Sequence, residues 1–291
     1  MTTPVATFLD VFKPRIGVVI MLAALGGVAV APGALPETWR IAAVALAVFV
    51  ASLSSGAFNQ WAERDLDARM RRTARRPFAS GRYKAGPGWL AIIALLLAAA
   101  VVLAALAGNA WAALYTFLGA FTYGVIYTLW LKRRSWTNIV IGGLAGSFAV
   151  LAGAAAVDPA PTAAPILLAL VLFLWTPPHF WSLAMAARDD YVRAGVPMLP
   201  VVAGDAVCAK VILAHTVALS VIALLPALYG MGLIYLAAAV VGGAWFTRAS
   251  VALVLDPSRG QAMRTFGASL AQLALLLSGA MLDRWLLGSS G

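Results

Sequence analysis

Apolar runs of close to twenty residues, set apart by short polar segments, recur along nearly the whole of this 291-residue chain. A helix needs about 20 mostly apolar residues to cross the hydrocarbon core, and only helices or closed barrels can span it, because an unsatisfied backbone polar group in lipid costs several kcal/mol. Read with their Pro, Gly and charged punctuation, the runs predict nine spans, at 16–33, 41–58, 89–107, 110–130, 138–157, 163–186, 208–229, 231–247 and 266–285. A chain with 63% hydrophobic and only 11% charged residues has too little polar surface for a water-soluble globule. The expected fold class is therefore all-α, a polytopic membrane helical bundle of about nine transmembrane helices. No linker is long enough to separate two domains, so residues 1–291 are read as one domain.

A net charge of +10 raises the possibility of nucleic acid, but the placement of the charges argues against it. Nineteen of the 21 Lys and Arg residues fall in segments on one side of the predicted membrane, leaving Arg40 and Arg284 opposite. The positive-inside rule then puts the N-terminus in the cytoplasm and, after an odd number of spans, the C-terminus outside. A cleaved secretory signal is the alternative reading of the first span, with Lys13 and Arg15 before it and Ala29-Val30-Ala31 after. A single cysteine, Cys208, excludes an internal disulfide framework and a cysteine metal cluster.

Eight of the eleven acids share the basic side, which topology alone does not require. Between Asn59 and Pro77 stand six arginines and three acids. One reading is a basic juxtamembrane loop that sets orientation and touches anionic lipid. The spacing supports a second. Asn59, Glu63 and Asp67 recur every four residues, so on a helix an amide and two carboxylates share one face about 6 Å apart, with Asp65 on another. Hard oxygen ligands of this kind suit Mg2+, which takes one or two carboxylates and completes its shell with phosphate oxygens and water. Arg71, Arg72, Arg75 and Arg76 follow directly, and the guanidinium fork matches phosphate.

The order Asn59, Glu63, Asp67, then Arg72-Thr73 and Arg76-Pro77, resembles the first aspartate-rich motif of the UbiA intramembrane prenyltransferase superfamily, with Gln60 and Glu63 in place of aspartates. The Glu63-Arg64-Asp65-Leu66-Asp67 form resembles one branch, the protohaem IX farnesyltransferases or haem O synthases. Three further segments match that branch: Lys13-Pro14-Arg15-Ile16; Tyr127 to Arg133 with Asn138 to Gly146; and Trp175-Thr176-Pro177-Pro178-His179-Phe180-Trp181, leading to Asp190-Tyr191 and Pro197 to Pro200. Together they run from about residue 12 to residue 204.

The resemblance implies transfer of the farnesyl group of farnesyl diphosphate to a vinyl group of haem B, with water added, giving haem O, in a central cavity of the bundle. It implies Mg2+ at Asn59, Glu63 and Asp67, with Asp190 as a further metal or base-clamping residue from a reduced second acidic motif, and no permanently bound organic cofactor. Lys13, Arg15, Arg72, Arg76, Lys132 and Arg133 would hold the diphosphate, and Tyr127, Asn138, Trp175, His179 and Trp181 would line the haem and prenyl pocket. Asn138 is alternatively a helix cap, the aromatics ordinary packing residues, and Gly142, Gly143 and Gly146 close-packing positions. The expected setting is a bacterial inner membrane with the site on the cytoplasmic side. The expected partners are haem B, farnesyl diphosphate, the lipid bilayer and haem-processing or oxidase-assembly proteins, with no nucleic acid.

His179 follows two consecutive prolines, which deny a helix two backbone donors and are expected to open irregular structure at membrane depth. It is read either as a group that ligates haem iron, bonds a propionate or places water, or as a histidine satisfied by neighbouring carbonyls. His215, in an apolar run without a motif, is read as structural. A quinone or other aromatic prenyltransferase is the rival within the superfamily, and a secondary transporter the rival from another class; the latter would place charges near the midplane in repeated halves.

Overall fold

The computed structural model describes residues 4–160 and 162–288. The described residues are all helical or loop. In chain order they form α1 (Pro4–Phe12), α2 (Pro14–Val30), α3 (Thr38–Ala62), the short α4 (Arg64–Ala68), α5 (Pro87–Ala107) and α6 (Ala110–Phe121), which runs on as a π-helix over Thr122–Leu131. There follow α7 (Asn138–Gly142) and α8 (Leu144–Val157), α9 (Ala163–Ala186), the short α10 (Arg188–Ala194) and α11 (Leu199–Ala203), α12 (Asp205–Ile222) with a 3-10 extension over Leu225–Tyr229, α13 (Leu233–Leu255) and α14 (Arg259–Leu287). Among the described residues eight helical stretches are long and apolar enough to cross a membrane; α1 and α2, bent by 44° at Lys13, make a ninth if taken as one span.

The predicted spans all correspond to helices, but hydropathy located several of their ends poorly. The α2 helix ends at Val30 rather than residue 33, α12 begins at Asp205, α13 continues from 247 to Leu255, and α14 begins at Arg259 rather than 266. Hydropathy reports the apolar slab, whereas a helix propagates through polar residues such as Arg248 and Arg264 until a breaker stops it. The breaker here is Asp256-Pro257, after which Ser258 caps α14 by accepting from the Gln261 amide.

The Pro177-Pro178 expectation is corrected: α9 is continuous through both prolines. The prolines remove the amide donors that the Phe173 and Leu174 carbonyls would otherwise receive, while beside them Thr176 donates to the Leu172 carbonyl (3.0 Å) and Ser182 to that of Pro178 (2.6 Å). Gly143 lets α7 and α8 lie against this stretch; a Cβ there would meet the Phe173 carbonyl at 3.2 Å.

Packing is tightest between α2 and α8. A Cβ on Gly27 would stand 2.0 Å from the Val150 carbonyl oxygen, and one on Gly153 1.8 Å from that of Ala24, so the two backbones touch where only glycine fits. Gly142 packs on the Tyr127 ring, whereas Gly146 has only ordinary contacts, so two of the three predicted close-packing glycines are constrained. The α2 helix also packs on α14, which closes the bundle. At the end of the bundle away from the basic segments, the buried Asp283 carboxylate of α14 accepts from the amides of Gly232 (2.6 Å), Ile234 (3.1 Å) and Tyr235 (3.2 Å), holding the start of α13.

Candidate active site

Glu63 interrupts the helix between α3 and α4 (φ −99°, ψ 12°), yet its amide donates to the Asn59 carbonyl at 3.0 Å and the Asp67 amide donates to the Glu63 carbonyl at 2.7 Å. The four-residue register therefore survives the break. Asn59, Glu63 and Asp67 stay on one face at the basic end of the bundle, each 1–2% exposed.

Every member of this row has a cation beside it. Lys13 Nζ donates to Asn59 Oδ1 at 2.5 Å, Lys132 Nζ to Glu63 Oε2 at 2.5 Å, and Arg76 Nη1 to both oxygens of Asp67 at 2.9 and 2.8 Å. Local structure brings those cations in. Lys13 sits at the α1–α2 bend with a left-handed backbone (φ 52°), a costly conformation for a residue with a side chain, and its ammonium lies over the Tyr123 ring. Lys132 arrives through the π-helix: its amide reaches back five residues to the Tyr127 carbonyl (2.9 Å), and the wider turn puts Tyr123, Tyr127, Thr128 and Lys132 toward α3. Tyr123 and Tyr127 stack at 5.5 Å, with the Lys132 ammonium over the latter.

Thr128 was not singled out from the sequence. Its hydroxyl donates to the Tyr123 carbonyl (2.8 Å) and so accepts from Asn59 Nδ2 (3.0 Å), which turns the Asn59 oxygen toward Lys13. Gln60 donates to the Asp10 carbonyl (2.6 Å), fastening α1 to α3. These partners lie tens of residues from Asn59, and the π register that delivers Thr128 leaves no periodicity to read.

The other expected residues divide. Arg133 does not join the row; it makes a two-pronged pair with the exposed Asp65 at 2.8 and 2.9 Å, which raises the guanidinium pKa and, chiefly through the hydrogen bond, lowers that of the carboxylate. Beside that pair lies a cavity of about 450 Å³ lined by Ala62, Arg64, Asp65, Thr128, Leu129 and Arg133. Arg15 and Arg72 have exposed side chains. Burial pulls the Arg76 pKa down, but the Asp67 carboxylate outweighs it and holds it above its ordinary value.

Asp190 stands against the same loop from α10. It accepts from the Arg71 and Arg72 amides, both at 3.3 Å, and pairs with Arg193. Burial pushes its pKa up, but these donors more than offset that and leave it lowered. Both of its oxygens are thus engaged in docking the arginine loop onto α10.

Asn138 is fully buried at the start of α7 and donates to the Ser135 carbonyl (2.5 Å), its own oxygen unpartnered, so it does not cap the helix amides. Trp181 is fully buried, its ring edge-on to His215, whose Nδ1 meets the Val211 carbonyl at 2.9 Å as a structural histidine would. His179 lies between the rings of Trp175 (4.2 Å) and Phe266 (4.5 Å), with Nδ1 2.7 Å from the Ser269 hydroxyl. Among the described residues no three His, Cys, Asp or Glu side chains gather as a metal site. The row offers two carboxylates and an amide, a set that needs oxygens from a bound anion to complete a cation's shell.

A helical membrane bundle with a buried row of oxygen ligands and cations at its mouth, above an aromatic interior, has the form of an enzyme that cleaves an anionic leaving group from a lipid-soluble chain. The chain belongs to the UbiA prenyltransferase family, whose profile matches residues 20–282. It is 55% identical over 288 residues, 99% of this chain and 100% of the other, to "Protoheme IX farnesyltransferase 2" of Paramagnetospirillum magneticum. Solved structures share the fold: one from work on digeranylgeranylglyceryl phosphate synthase in membranes (TM-score 0.78, 18% identity, 96% of this chain and 98% of that one), and a UbiA homologue from Archaeoglobus fulgidus bound to DMAPP and Mg2+ (TM-score 0.72, 15% identity, 93% and 99%).

Proposed function

We propose that this integral membrane protein transfers the farnesyl group of farnesyl diphosphate to a vinyl group of haem B, with addition of water, giving haem O and diphosphate. The observation that carries the reading is the full-length likeness to a protoheme IX farnesyltransferase, in a chain whose buried row Asn59, Glu63, Asp67 is matched one for one by Lys13, Lys132 and Arg76. The second substrate and the Mg2+ of the reaction rest on the same likeness and on the chemistry of the row.

The row fits a magnesium ion. Glu63 Oε1 is buried without a partner while its other oxygen holds Lys132, and Asn59 and Asp67 add hard oxygens in register. Bound there, Mg2+ would act as a Lewis acid on the diphosphate. The residues of the chain do the rest. Lys13, now on Asn59, and Lys132 and Arg76, now on the acids, are poised to turn to the diphosphate oxygens as negative charge grows on the leaving group, and in a buried site such fixed charges act more strongly than in water. Arg72, and Arg15 beside Lys13, extend the basic rim, and Asp190 keeps the Arg71–Arg72 backbone in place. The stacked Tyr123 and Tyr127 rings, beside the Lys13 and Lys132 ammoniums, would favour allylic cation charge once those cations turn to the diphosphate. Burial of the row keeps bulk water away until the vinyl carbon has attacked.

Charge placement supports a cytoplasmic N-terminus and active site, and with α1 and α2 taken as one span an outside C-terminus; the likeness to a bacterial protein supports a bacterial inner membrane. The test is incubation of the purified protein with haem B, farnesyl diphosphate and Mg2+, with product read by mass and absorbance. Wild type should yield haem O and an Asp67→Asn variant should yield none. Consumption of farnesyl diphosphate without haem O would assign another acceptor and overturn the proposal.

A further inference from the structure

The interior of the bundle contains a second ordered group, built from two helices, that the diphosphate chemistry does not use. His179 of α9 is clamped face to face by Trp175 (interplanar angle 17°) and Phe266 (27°), and the Trp175 indole donates to the Ser269 carbonyl at 2.9 Å. Phe266 and Ser269 both belong to α14, beyond the last motif legible in the sequence.

The hydrogen bonds at Ser269 fix the protons. Its hydroxyl lies 2.6 Å from the Phe266 carbonyl, which can only accept, so the hydroxyl proton is spent there. Toward His179 Nδ1, at 2.7 Å, the same oxygen can then only accept, so Nδ1 carries the hydrogen. A neutral ring so protonated has its lone pair on Nε2, at the opposite edge. Among the described residues nothing bonds Nε2, and the side chain keeps 9% of its surface open.

We propose that Ser269 is a positioning residue that holds His179 as its Nδ1-protonated tautomer, so that Nε2 ligates the iron of the porphyrin substrate. This rests on the functional reading above. An Nε2 without a proton cannot donate to a propionate, which removes that role, whereas an imidazole nitrogen whose other N–H is bonded to an oxygen is a well-oriented iron ligand. The aromatic sandwich fixes the ring plane, so ligation sets the height and tilt of the macrocycle before the vinyl group meets the farnesyl chain.

The experiment is a titration of the full-length protein, in lipid nanodiscs without farnesyl diphosphate or Mg2+, with haem B and in parallel with iron-free protoporphyrin IX, read by absorbance and quenching of tryptophan fluorescence. Wild type should bind haem B at least about tenfold more tightly than protoporphyrin IX and show the Soret shift of an imidazole-ligated iron. His179→Ala should lose that shift and bind both porphyrins alike, and added imidazole should restore the shift. Ser269→Ala should weaken haem B binding about 10- to 100-fold, as loss of a partner behind a metal ligand does, with protoporphyrin IX unaffected, and Ser269→Thr should restore it. Equal wild-type affinity for the two porphyrins, or a Ser269→Ala spectrum and affinity like those of wild type, would overturn the proposal. Equal loss of both porphyrins in Ser269→Ala and Ser269→Thr would reduce Ser269 to packing and overturn it as well. Failure of wild type to bind either porphyrin would instead sink the haem reading itself.

Discussion

Carboxylates at the two ends of the bundle are equally buried and differently held. At the basic end Glu63 and Asp67 are 1% and 2% exposed, and their partners are the side chains of Lys132 and Arg76. At the other end Asp283 is 3% exposed, and its partners are the three backbone amides that open α13. Backbone amides at a helix start cannot leave, so Asp283 is a permanent fastener. Lysine and arginine tips swing on flexible stems, so the pairs at the basic end can open and hand their cations to an anionic substrate. Burial and charge do not separate a functional acid from a structural one here, whereas partner type does.

The largest effect should come from the exchangeable end. Glu63→Gln should lower haem O formation at least about 100-fold, since it takes a charged ligand from the Mg2+ that would stabilise the leaving group. It should also lower stability by about 3 kcal/mol, because Lys132 is left buried without its counter-charge. Pairing it with Lys132→Met separates the two losses. Thermal melting of the double variant should return toward wild type, as replacing both members of a buried pair often does, while turnover stays lost. Recovery of turnover in the double variant would show that Glu63 and Lys132 only brace the fold.

Asp283→Ala should invert that pattern. Leaving a helix start without its acceptor costs about 2–3 kcal/mol, read as a lower melting temperature. Turnover per folded molecule, measured well below the melt, should remain within about twofold of wild type. A large fall in turnover at unchanged stability would mean that the far end of the bundle is coupled to the reaction.

The sequence made one of these ends legible and hid the other. Asn59, Glu63 and Asp67 stand out because helical spacing is periodic, and the structure keeps that register through the break at Glu63. Lys13, Lys132 and Arg76 were expected beside phosphate from the family resemblance, but their one-to-one match to the row depends on a left-handed residue and a π-helix, which hydropathy does not reveal. Asp283 was unreadable because its partners are amides about fifty residues away, and every non-proline residue has one. Ser269 and Thr128 were missed for a related reason, since an isolated hydroxyl in an apolar helix usually bonds its own backbone. The Pro177-Pro178 pair misled because a local rule for breaking helices was outweighed by the packing of α9 against α8, α12 and α14.

The smallest effect should come from the exposed pair beside the row, and it tests whether burial matters once side-chain partners are given. Asp65 and Arg133 form a geometrically better pair than Glu63 and Lys132, with two short bonds rather than one, yet their side chains are 51% and 43% exposed. Water and salt screen such a pair to below about 1 kcal/mol, so Arg133→Ala should shift the melt only slightly and change turnover less than about threefold. Its pH dependence has a fixed sign. Arg133 lowers the Asp65 pKa from its ordinary 3.8, so what the pair contributes is fully present above about that pH and is lost only as pH falls through the lower folded value. Wild type and Arg133→Ala should therefore differ by a constant small amount from neutral pH down to about 5 and converge only in stronger acid. A loss of turnover in Arg133→Ala as deep as that in Glu63→Gln would place Arg133 on the substrate and erase the distinction between buried and exposed pairs at this end.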